Sequence, residues 1–445
     1  MFTVLKKIVI FGAGRSSTAL IEYLANLCQL ESWNLVIADQ SLSLANSRIH
    51  THTNTQAIEC DLTNTRLVES LIENCDVVIS MMPPSLHIVL AKTCLKFQKH
   101  FLTASYVSDE IRNLNQEATQ KGLLFLMETG LDPGIDHMSA MKEIHNLNRE
   151  GLILTGFKSY TGGLISPESD NNPWHYKFTW NPRNVILAGQ GTAKYLEDEK
   201  VKYIPYGKLF ERTAKITIEG REFEGYLNRD SLNYLDLYGL TNIKTFIRGT
   251  LRIPPFCSAW NCFVQLGMTA DDYSIKGSEN LTWNEFIETY LPSIPNKTTR
   301  QKLIEFLKID NKGPELPLLE SCGIFSDQKT NIPLATPAQL LQALLEKSWS
   351  LSPGDKDMIV MQHQFEILTS HKPQTIYTSL IVEGDSKHSA MSKTVGLPLG
   401  IACKLLLQNK IDLTGVQIPI HEQLYTPILD ELEELGIEFK TTKSA

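Results

Sequence analysis

The sequence lacks the features that mark several classes of protein. Its 445 residues carry a formal net charge of −8 and contain no run of Lys and Arg. This balance argues against nucleic acid or an anionic membrane surface as a partner. No apolar run approaches the roughly 18 residues of a membrane span, and the first apolar stretch leads into a glycine turn without a cleavage site. We therefore expect no signal peptide, no membrane partner and a cytoplasmic location.

Disulfides, metal sites and a serine nucleophile are not indicated either. The eight cysteines are scattered without CxxC spacing, which favours reduced thiols over disulfides. The eleven histidines show no metal-ligand spacing, since His50-x-His52 and Asp136-His137 are too sparse, so no metal is expected. No GxSxG motif is present.

The first third of the chain alternates short apolar runs with helical patterns. The runs are Val4–Phe11, Leu35–Ala38, Gln56–Glu59, Asp76–Ser80, His100–Thr103 and Leu123–Met127. Because each crossover between parallel strands needs a covering helix, this alternation predicts a parallel, doubly wound α/β sheet.

A glycine turn follows the first of these runs. Gly12-x-Gly14 stands between a predicted strand and a predicted helix, and Ser17 takes the place of the third glycine of the usual dinucleotide fingerprint. In that context the first glycine makes the turn and the second lets a pyrophosphate approach the helix N-terminus. Asp39, after the second strand, suits the ribose hydroxyls of NAD and would repel the 2′-phosphate of NADP. The alternative is that Asp39 caps a helix that starts near Leu42.

The stretch METGLDPGIDHM (127–138) places three carboxylates and a histidine around a broken turn. Pro133 fixes its φ angle, while Gly130 and Gly134 permit backbone conformations that other residues resist. One interpretation is an ordinary acidic surface turn. The other follows from the sheet: ligands bind outside the carboxyl ends of parallel strands, which places Asp132 at the cofactor edge.

Beyond residue 152 the pattern changes to longer β-like segments, which predict a mixed or antiparallel sheet. These are Leu152–Tyr160, Val201–Pro205, Ala214–Ile218, Lys244–Arg252, Met358–Ile367 and Thr375–Val382. Residues 159–164 are predicted to be a glycine turn after the first of them. Residues 281–349 are predicted to be helical, with Thr336-Pro337 starting one helix. Residues 389–407 predict a helix that packs closely on the first domain.

Six collinear motifs then resemble the glutamate-forming saccharopine dehydrogenases along essentially the whole chain. The motifs are GLDPGIDHM (130–138), SYTGGLISPE (159–168), NPWHYKFTWNPRNVILA (172–188), YLNRDS (226–231), IRGTLR (247–252) and SAMSKTVGLPLGIA (389–402). The resemblance implies a variant Rossmann domain (1–130 and 390–445), a mixed α/β substrate and dimerisation domain (131–270 and 353–389) and a small all-helical insertion (271–352). It also implies a homodimer.

The implied reaction joins 2-aminoadipate 6-semialdehyde and L-glutamate through an imine, which a nicotinamide hydride from NADP(H) or NAD(H) reduces to saccharopine. The resemblance assigns dinucleotide contacts to Gly12, Ala13, Gly14, Arg15, Ser16, Asp39, Gln40, Asp61, Met82, Ala104, Ser105, Leu131, Asp132 and Pro133. It assigns substrate contacts to Ser105, Tyr106, Asp132, Arg229, Thr250, Leu251 and Arg252. For proton transfer we expect Asp132, with Tyr106 and Lys177 as partners.

Two departures from the family pattern matter. Asp39 stands where a basic residue usually meets the 2′-phosphate of NADP, and Thr161 stands where a cysteine is usual. Because a threonine hydroxyl is a poor acid, a thiol's proton-transfer role cannot be carried over to it. The alternatives are a carboxynorspermidine-type dehydrogenase and a non-catalytic sensor. Arg229, Arg248 and Arg252 favour a polycarboxylate substrate over a diamine, because Arg pairs with carboxylates in a bidentate way.

Overall fold

The computed structural model describes residues 5–49, 53–369 and 372–444, so the His50-x-His52 pair lies outside the described residues. In chain order the strands are β1 Lys7–Phe11, β2 Asn34–Asp39, β3 Thr55–Glu59, β4 Val77–Ser80, β5 His100–Thr103, β6 Leu124–Leu126, β7 Ile153–Ile165, β8 Ala193–Glu197, β9 Lys200–Ile204, β10 Ala214–Ile218, β11 Arg221–Leu227, β12 Thr245–Arg252, β13 Asp357–Leu368, β14 Pro373–Glu383, β15 Gly415–Gln417 and β16 Lys440–Lys443.

The helices alternate with the strands in the first third and cluster between β12 and β13. They are α1 Thr18–Glu31, α2 Leu42–Arg48, α3 Thr65–Glu73, α4 Pro84–Phe97, α5 Asp109–Arg112, α6 Asn115–Gln120, α7 Ile135–Arg149, α8 Pro182–Ile186, α9 Phe256–Leu266, α10 Trp283–Glu288, α11 Thr299–Leu307, α12 Glu315–Ser321, α13 Pro337–Trp349, α14 Ala390–Leu407 and α15 Glu422–Glu434.

The chain divides into two compact units. The first comprises Met1–Ile153 and Leu380–Lys440, and the second comprises Leu154–Ser379 and Thr441–Ala445. The three-domain division with boundaries at residues 130, 270, 352 and 389 stays a prediction. The first unit includes α7, and β16 joins the sheet of the second unit next to β14.

The first unit contains the predicted parallel sheet. Seven strands lie in the order β15-β6-β5-β4-β1-β2-β3, and the neighbouring strands pair in parallel. The central residues of β1, β2, β4, β5 and β6 are buried, as expected for strands covered on both faces, whereas β3, at one edge of the sheet, has no buried residue. The mixed α/β class and the doubly wound sheet are therefore confirmed.

Helix α14 packs closely on α1, as the sequence indicates. A Cβ on Gly396 would lie 2.9 Å from the backbone nitrogen of Leu20, and one on Gly400 would lie 2.7 Å from the ring of Tyr23. Among the described residues this helix alone has the length and composition of a membrane span, and 78% of it is buried inside the structure. Its small residues thus serve close packing between two helices of the first unit.

The second unit contains a nine-stranded mixed sheet. Strands β10-β11-β12-β7-β13-β14-β16 follow one path, and β8 and β9 join it through β12. β12 pairs with β7 in parallel and with β11 antiparallel. The predicted turn at residues 159–164 is wrong, because these residues lie inside β7. Gly162 is needed there because a Cβ would lie 2.8 Å from the carbonyl oxygen of Leu251 on the neighbouring strand.

The region between β12 and β13 is helical, as predicted. Thr336 caps α13 through a capping box with Gln339, and Pro337 occupies the first turn. This part of the chain belongs to the second unit.

Candidate functional site

The turn after β1 has the geometry of a pyrophosphate cradle. Gly12 has φ +103°, and a Cβ there would lie 2.9 Å from the carbonyl oxygen of Met81. Gly14 is exposed, and a Cβ on it would meet nothing within 4 Å. The hydroxyl of Ser17 donates to the Gly14 carbonyl at 2.8 Å, which closes the turn before α1. The turn therefore leaves open space beside Gly14 for a phosphate at the N-terminal end of the helix, so these residues fit a dinucleotide.

Asp39 is joined to this turn by hydrogen bonds. Its carboxylate accepts the backbone N–H of Ala13 at 2.7 Å and that of Ser41 at 2.8 Å. The alternative that Asp39 caps α2 is wrong, since the Ser41 side chain caps that helix by accepting the Leu44 N–H. Arg48 donates to the Ala13 carbonyl at 3.2 Å; burial lowers the pKa of Arg48, and the charge of Asp39 opposes that shift.

The other predicted dinucleotide residues follow the carboxyl ends of successive strands. Because the sheet is parallel, they occupy loops at one edge: Arg15 and Ser16 after β1, Gln40 after β2, Asp61 after β3, Met82 after β4, Ala104 and Ser105 after β5, and Leu131 and Pro133 after β6. The Gln40 amide reaches the Asp61 carboxylate at 3.5 Å. Hydrogen bonds from Thr63 lower the pKa of Asp61.

Tyr106 and Asp132 meet at the same edge. The hydroxyl of Tyr106, a residue that is 50% exposed, donates to Oδ1 of the half-buried Asp132 at 3.2 Å. The loops that carry them are in contact, because a Cβ on Gly130 would lie 2.8 Å from Cβ of Ala104. The peptide bond from Asp132 to Pro133 is cis. Two of the three predicted proton-transfer residues are therefore neighbours.

Buried charges hold this turn in place. Glu128 accepts the Val107 N–H at 3.0 Å through Oε1 and contacts Nε2 of His137 at 2.9 Å through Oε2. Nδ1 of His137 lies 3.6 Å from Oδ2 of Asp136, whose Oδ1 accepts the Gly134 N–H at 2.6 Å. Glu128, Asp136 and His137 are all buried. They thus connect the Tyr106 loop to the Asp132 turn, a role that sequence reasoning did not assign to them.

Sequence reasoning also missed His87. The ring lies on α4 and is 2% exposed, with Nδ1 2.8 Å from the Ser80 hydroxyl and Nε2 2.7 Å from the Ser105 hydroxyl. Ser80 ends β4 and Ser105 follows β5. The adjacency of these two strands brings the groups together, so no spacing in the sequence signals it.

In the second unit, Lys177 forms a buried ion pair. Its Nζ donates to Oδ2 of Asp355 at 2.6 Å, and the two side chains are 3% and 11% exposed. Burial raises the pKa of Asp355, but hydrogen bonds from Lys177 and the Ser352 N–H outweigh it and leave that pKa below its usual value. The partner that the structure gives Lys177 is therefore a carboxylate of its own unit.

Arg252 is enclosed by aromatic rings. Its guanidinium carbon lies 4.9 Å from the ring centre of Tyr176, 5.6 Å from that of Tyr226 and 5.2 Å from that of Phe256. Its two terminal nitrogens donate to the Leu251 carbonyl and the Tyr226 hydroxyl, whereas Nε is buried without a hydrogen-bond partner among the described residues. Such stacking suits a desolvated guanidinium.

The remaining predicted substrate residues lie nearby in the sheet or at its surface. Thr250 lies opposite Thr161 in the pairing of β12 with β7, and its hydroxyl donates to Asn228 at 2.8 Å. The Thr161 hydroxyl is buried with no hydrogen-bond partner in the described part of the chain. Leu251 is buried, and Arg229 is exposed. Across residues 5–49, 53–369 and 372–444, no group of three or more His, Cys, Asp or Glu could hold a metal ion.

Comparison with known proteins gives the family. Residues 8–126 match the saccharopine dehydrogenase NADP binding domain, and residues 130–437 match the saccharopine dehydrogenase C-terminal domain. The first unit therefore contains a nicotinamide dinucleotide-binding domain.

Similar proteins extend over nearly the whole chain. A saccharopine dehydrogenase [NADP(+), L-glutamate-forming] of Schizosaccharomyces pombe is 33% identical over 97% of this chain and 98% of that protein. The apo structure of saccharopine dehydrogenase (L-Glu forming) from Saccharomyces cerevisiae gives a TM-score of 0.89 at 32% identity, covering 99% of this chain and 100% of that one. The mitochondrial alpha-aminoadipic semialdehyde synthase of Mus musculus is 33% identical over 98% of this chain, which spans only 48% of that protein. The chain belongs to the saccharopine dehydrogenase family.

Proposed function

We propose that the chain is an oxidoreductase acting on a CH–NH bond: it reversibly condenses 2-aminoadipate 6-semialdehyde with L-glutamate, with reduction, to form saccharopine. The observation that carries this proposal is the Tyr106–Asp132 pair at the carboxyl edge of the sheet that holds the dinucleotide turn. The names of the fungal relatives support the same reaction.

When bound, the nicotinamide would supply or accept the hydride, and the chain's own residues would transfer the protons and match the charges of the substrate. Formation and hydrolysis of the imine require proton transfers at the amine nitrogen and at the oxygen that leaves as water. Asp132 accepts and returns these protons, and Tyr106 orients its carboxylate through the 3.2 Å hydrogen bond. Because Lys177 is paired with Asp355, we assign it a structural role, in which it neutralises a buried carboxylate of the second unit, and not a role in proton transfer.

A substrate with several carboxylates is matched by cations, and the second unit taken by itself contains two candidates. Arg229 is exposed and can form a bidentate pair with a carboxylate. Arg252 contributes a fixed positive charge, and its buried Nε has no hydrogen-bond partner among the residues that the structure describes. A diamine substrate would gain nothing from these groups, which is why we favour a polycarboxylate.

For the cofactor we propose a preference for NAD(H) over NADP(H). The Asp39 carboxylate ends β2 and accepts hydrogen bonds from two backbone N–H groups. A carboxylate at the end of the second strand suits the ribose hydroxyls of NAD and would repel a 2′-phosphate, which supports this preference. The matching dinucleotide-binding domain and the Schizosaccharomyces pombe relative are both named for NADP, so this preference would distinguish the chain from them.

The test uses purified protein with saccharopine at mildly alkaline pH, with the absorbance of the reduced nicotinamide followed with NAD and NADP side by side. We expect turnover with a strong preference for NAD. Asp132→Asn should lower kcat/KM by well over tenfold, which is more than about 1.4 kcal/mol. The control Asp412→Asn, an exposed carboxylate of the same unit, should leave it unchanged.

Each of the other possible results would overturn a specific part of the proposal. Preference for NADP would keep the reaction and overturn the role of Asp39. Wild-type turnover in Asp132→Asn would overturn its proton-transfer role. Turnover only with diamine-derived imines, or binding of cofactor and saccharopine without turnover, would replace the proposal with a carboxynorspermidine-type enzyme or a sensor.

We also propose a cytoplasmic homodimer. All eight cysteines are buried and free, as suits a reducing compartment. Light scattering should give about twice the chain mass of 50.1 kDa; a monomer would overturn the assembly.

A further inference from the structure

A buried histidine links the ends of two neighbouring strands in the first unit. The Ser80 hydroxyl contacts Nδ1 of His87 at 2.8 Å, and Nε2 of the same ring contacts the Ser105 hydroxyl at 2.7 Å. Ser80 is fully buried, whereas Ser105 is half-buried at the carboxyl edge of the sheet. The three groups therefore form one continuous hydrogen-bonded row from the interior to the cofactor edge.

The hydrogen bonds of this row all run in one donor-to-acceptor direction, which the Ser80 hydroxyl sets. This O–H has no acceptor other than Nδ1 of His87 in the part of the chain that the structure describes, and leaving a buried O–H without an acceptor is unfavourable. Ser80 therefore donates to Nδ1. A neutral imidazole has one accepting and one donating nitrogen, so Nε2 carries the hydrogen and donates to Ser105.

The consequence lies at Ser105. Its oxygen accepts from Nε2, and among the described residues no acceptor for its own O–H is present. The backbone around it is also fixed, because Ser105 N–H donates to the Thr103 hydroxyl at 3.3 Å and the Ser105 carbonyl accepts the Glu128 N–H at 3.0 Å. The Ser105 hydroxyl is thus left as a donor facing the edge of the sheet.

We propose that His87 is a positioning residue that makes Ser105 a one-way hydrogen-bond donor to an acceptor oxygen of the bound ligands. Two sources offer such an oxygen, the carboxamide of the nicotinamide and a carboxylate of the substrate. The kinetic part of this inference rests on the proposed function, whereas the direction of the row does not. Burial keeps the His87 ring neutral by lowering its pKa to about 4, which preserves this direction at neutral pH.

The direction is tested without activity. NMR of the full chain labelled with ¹³C,¹⁵N-histidine, assigned by comparison with His87→Gln, reports which ring nitrogen carries the hydrogen. We expect the neutral Nε2–H form of His87 between about pH 5 and 8. A neutral ring protonated on Nδ1, or a charged ring at neutral pH, would overturn the proposal whatever reaction the protein catalyses.

The consequence for ligands is tested with matched variants. A glutamine amide can take the place of Nε2 and still donate to Ser105, whereas an asparagine amide reaches only the position of Nδ1. We expect Ser105→Ala and His87→Asn each to lower kcat/KM roughly five- to tenfold, the double variant to lose no more than either single one, and His87→Gln to retain most of the activity.

Two further measurements complete the design. Binding of the dinucleotide alone to the same variants separates the two oxygen sources. A raised Kd for the dinucleotide indicates the carboxamide. An unchanged Kd with a raised KM for saccharopine indicates the substrate carboxylate. Additive losses of kcat/KM in the double variant, or equal losses in His87→Gln and His87→Asn, would show that the His87 ring has only a structural role and would overturn the proposal. If wild-type protein shows no turnover, the proposed function fails, and the NMR and dinucleotide-binding results still decide this inference.

Discussion

Acidification should destabilise the first unit through His87 in particular. The ring contacts the Ser80 and Ser105 hydroxyls and, at a ring-centre distance of 6.3 Å, Phe101, none of which carries charge. Burial alone lowers the His87 pKa from 6.5 to about 4. That change corresponds to about 3 kcal/mol, since one pKa unit is about 1.36 kcal/mol.

The sign follows from proton binding. Between about pH 6.5 and 4 the unfolded chain holds a proton on this ring that the folded chain does not. The contribution of His87 to stability is therefore fully present above about pH 6.5 and is lost as the pH falls towards 4. In His87→Gln the same contribution should be absent at every pH, so the difference in free energy of unfolding between wild type and variant should shrink by about 3 kcal/mol over that range.

Because the chain has two units, the unfolding measurement needs a probe that reports on the first unit alone. Trp33 is the one tryptophan of the first unit, because the other five lie within residues 154–379. With 5-fluorotryptophan incorporated, the ¹⁹F signal of Trp33 during urea unfolding at pH 7, 5.5 and 4.5 follows the first unit alone. Parallel pH profiles for wild type and His87→Gln, or an NMR titration of His87 near pH 6.5, would refute the reasoning.

Three further predictions concern single groups. Lys177→Met should lower the free energy of unfolding of the second unit by about 3–5 kcal/mol in urea, because it leaves the Asp355 carboxylate buried without its cation, and adding Asp355→Leu should recover most of that loss; equal instability of the double variant would contradict this. Glu128→Ala should lower kcat/KM at least tenfold, roughly 1.4 kcal/mol, with the dinucleotide Kd unchanged, since it frees the loops that carry Tyr106 and Asp132; unchanged kinetics would contradict it. Gly14→Ala should keep the wild-type unfolding midpoint but weaken dinucleotide binding measured by calorimetry, because its Cβ would meet only open space, and undiminished affinity would remove Gly14 from the cradle.

Six of the seven strands of the parallel sheet were predictable because their signal is local, whereas β15, which is three residues long, was missed. Each buried strand is a short apolar run, and each crossover helix separates it from the next run. The second sheet was harder to predict. β8, β11 and β16 were missed, since AKYLE and REFEGYL mix charged and apolar residues and KTTK has no apolar residue. The glycines at 162 and 163 suggested a turn, yet Gly162 is required by the closeness of β12, a distant part of the chain.

In the candidate site, too, features that are local in the sequence were predictable and contacts between distant residues were not. The glycine turn and Asp39 were predictable, because strand, turn and helix are consecutive in the sequence. The pairing of Lys177 with Asp355 joins residues 178 positions apart. The His87 row depends on β4 lying next to β5. Side chains whose roles arise from strand adjacency give no periodic or spacing signal, and only the folded sheet shows them.

The acidic turn at residues 127–138 combines both interpretations that the sequence allowed. Glu128 and Asp136 are buried and make hydrogen bonds with backbone N–H groups and, through Glu128, with His137, so they stabilise the turn from inside. Asp132 is the one of the three carboxylates that is not buried, and it meets Tyr106 at the carboxyl edge. A buried charge is costly unless it is paired, so two carboxylates are committed to structure, and their hydrogen bonds fix the loops that present the third. The charge density of this stretch therefore fits our proposal for Asp132, since two of its carboxylates hold in place the loop that presents the third.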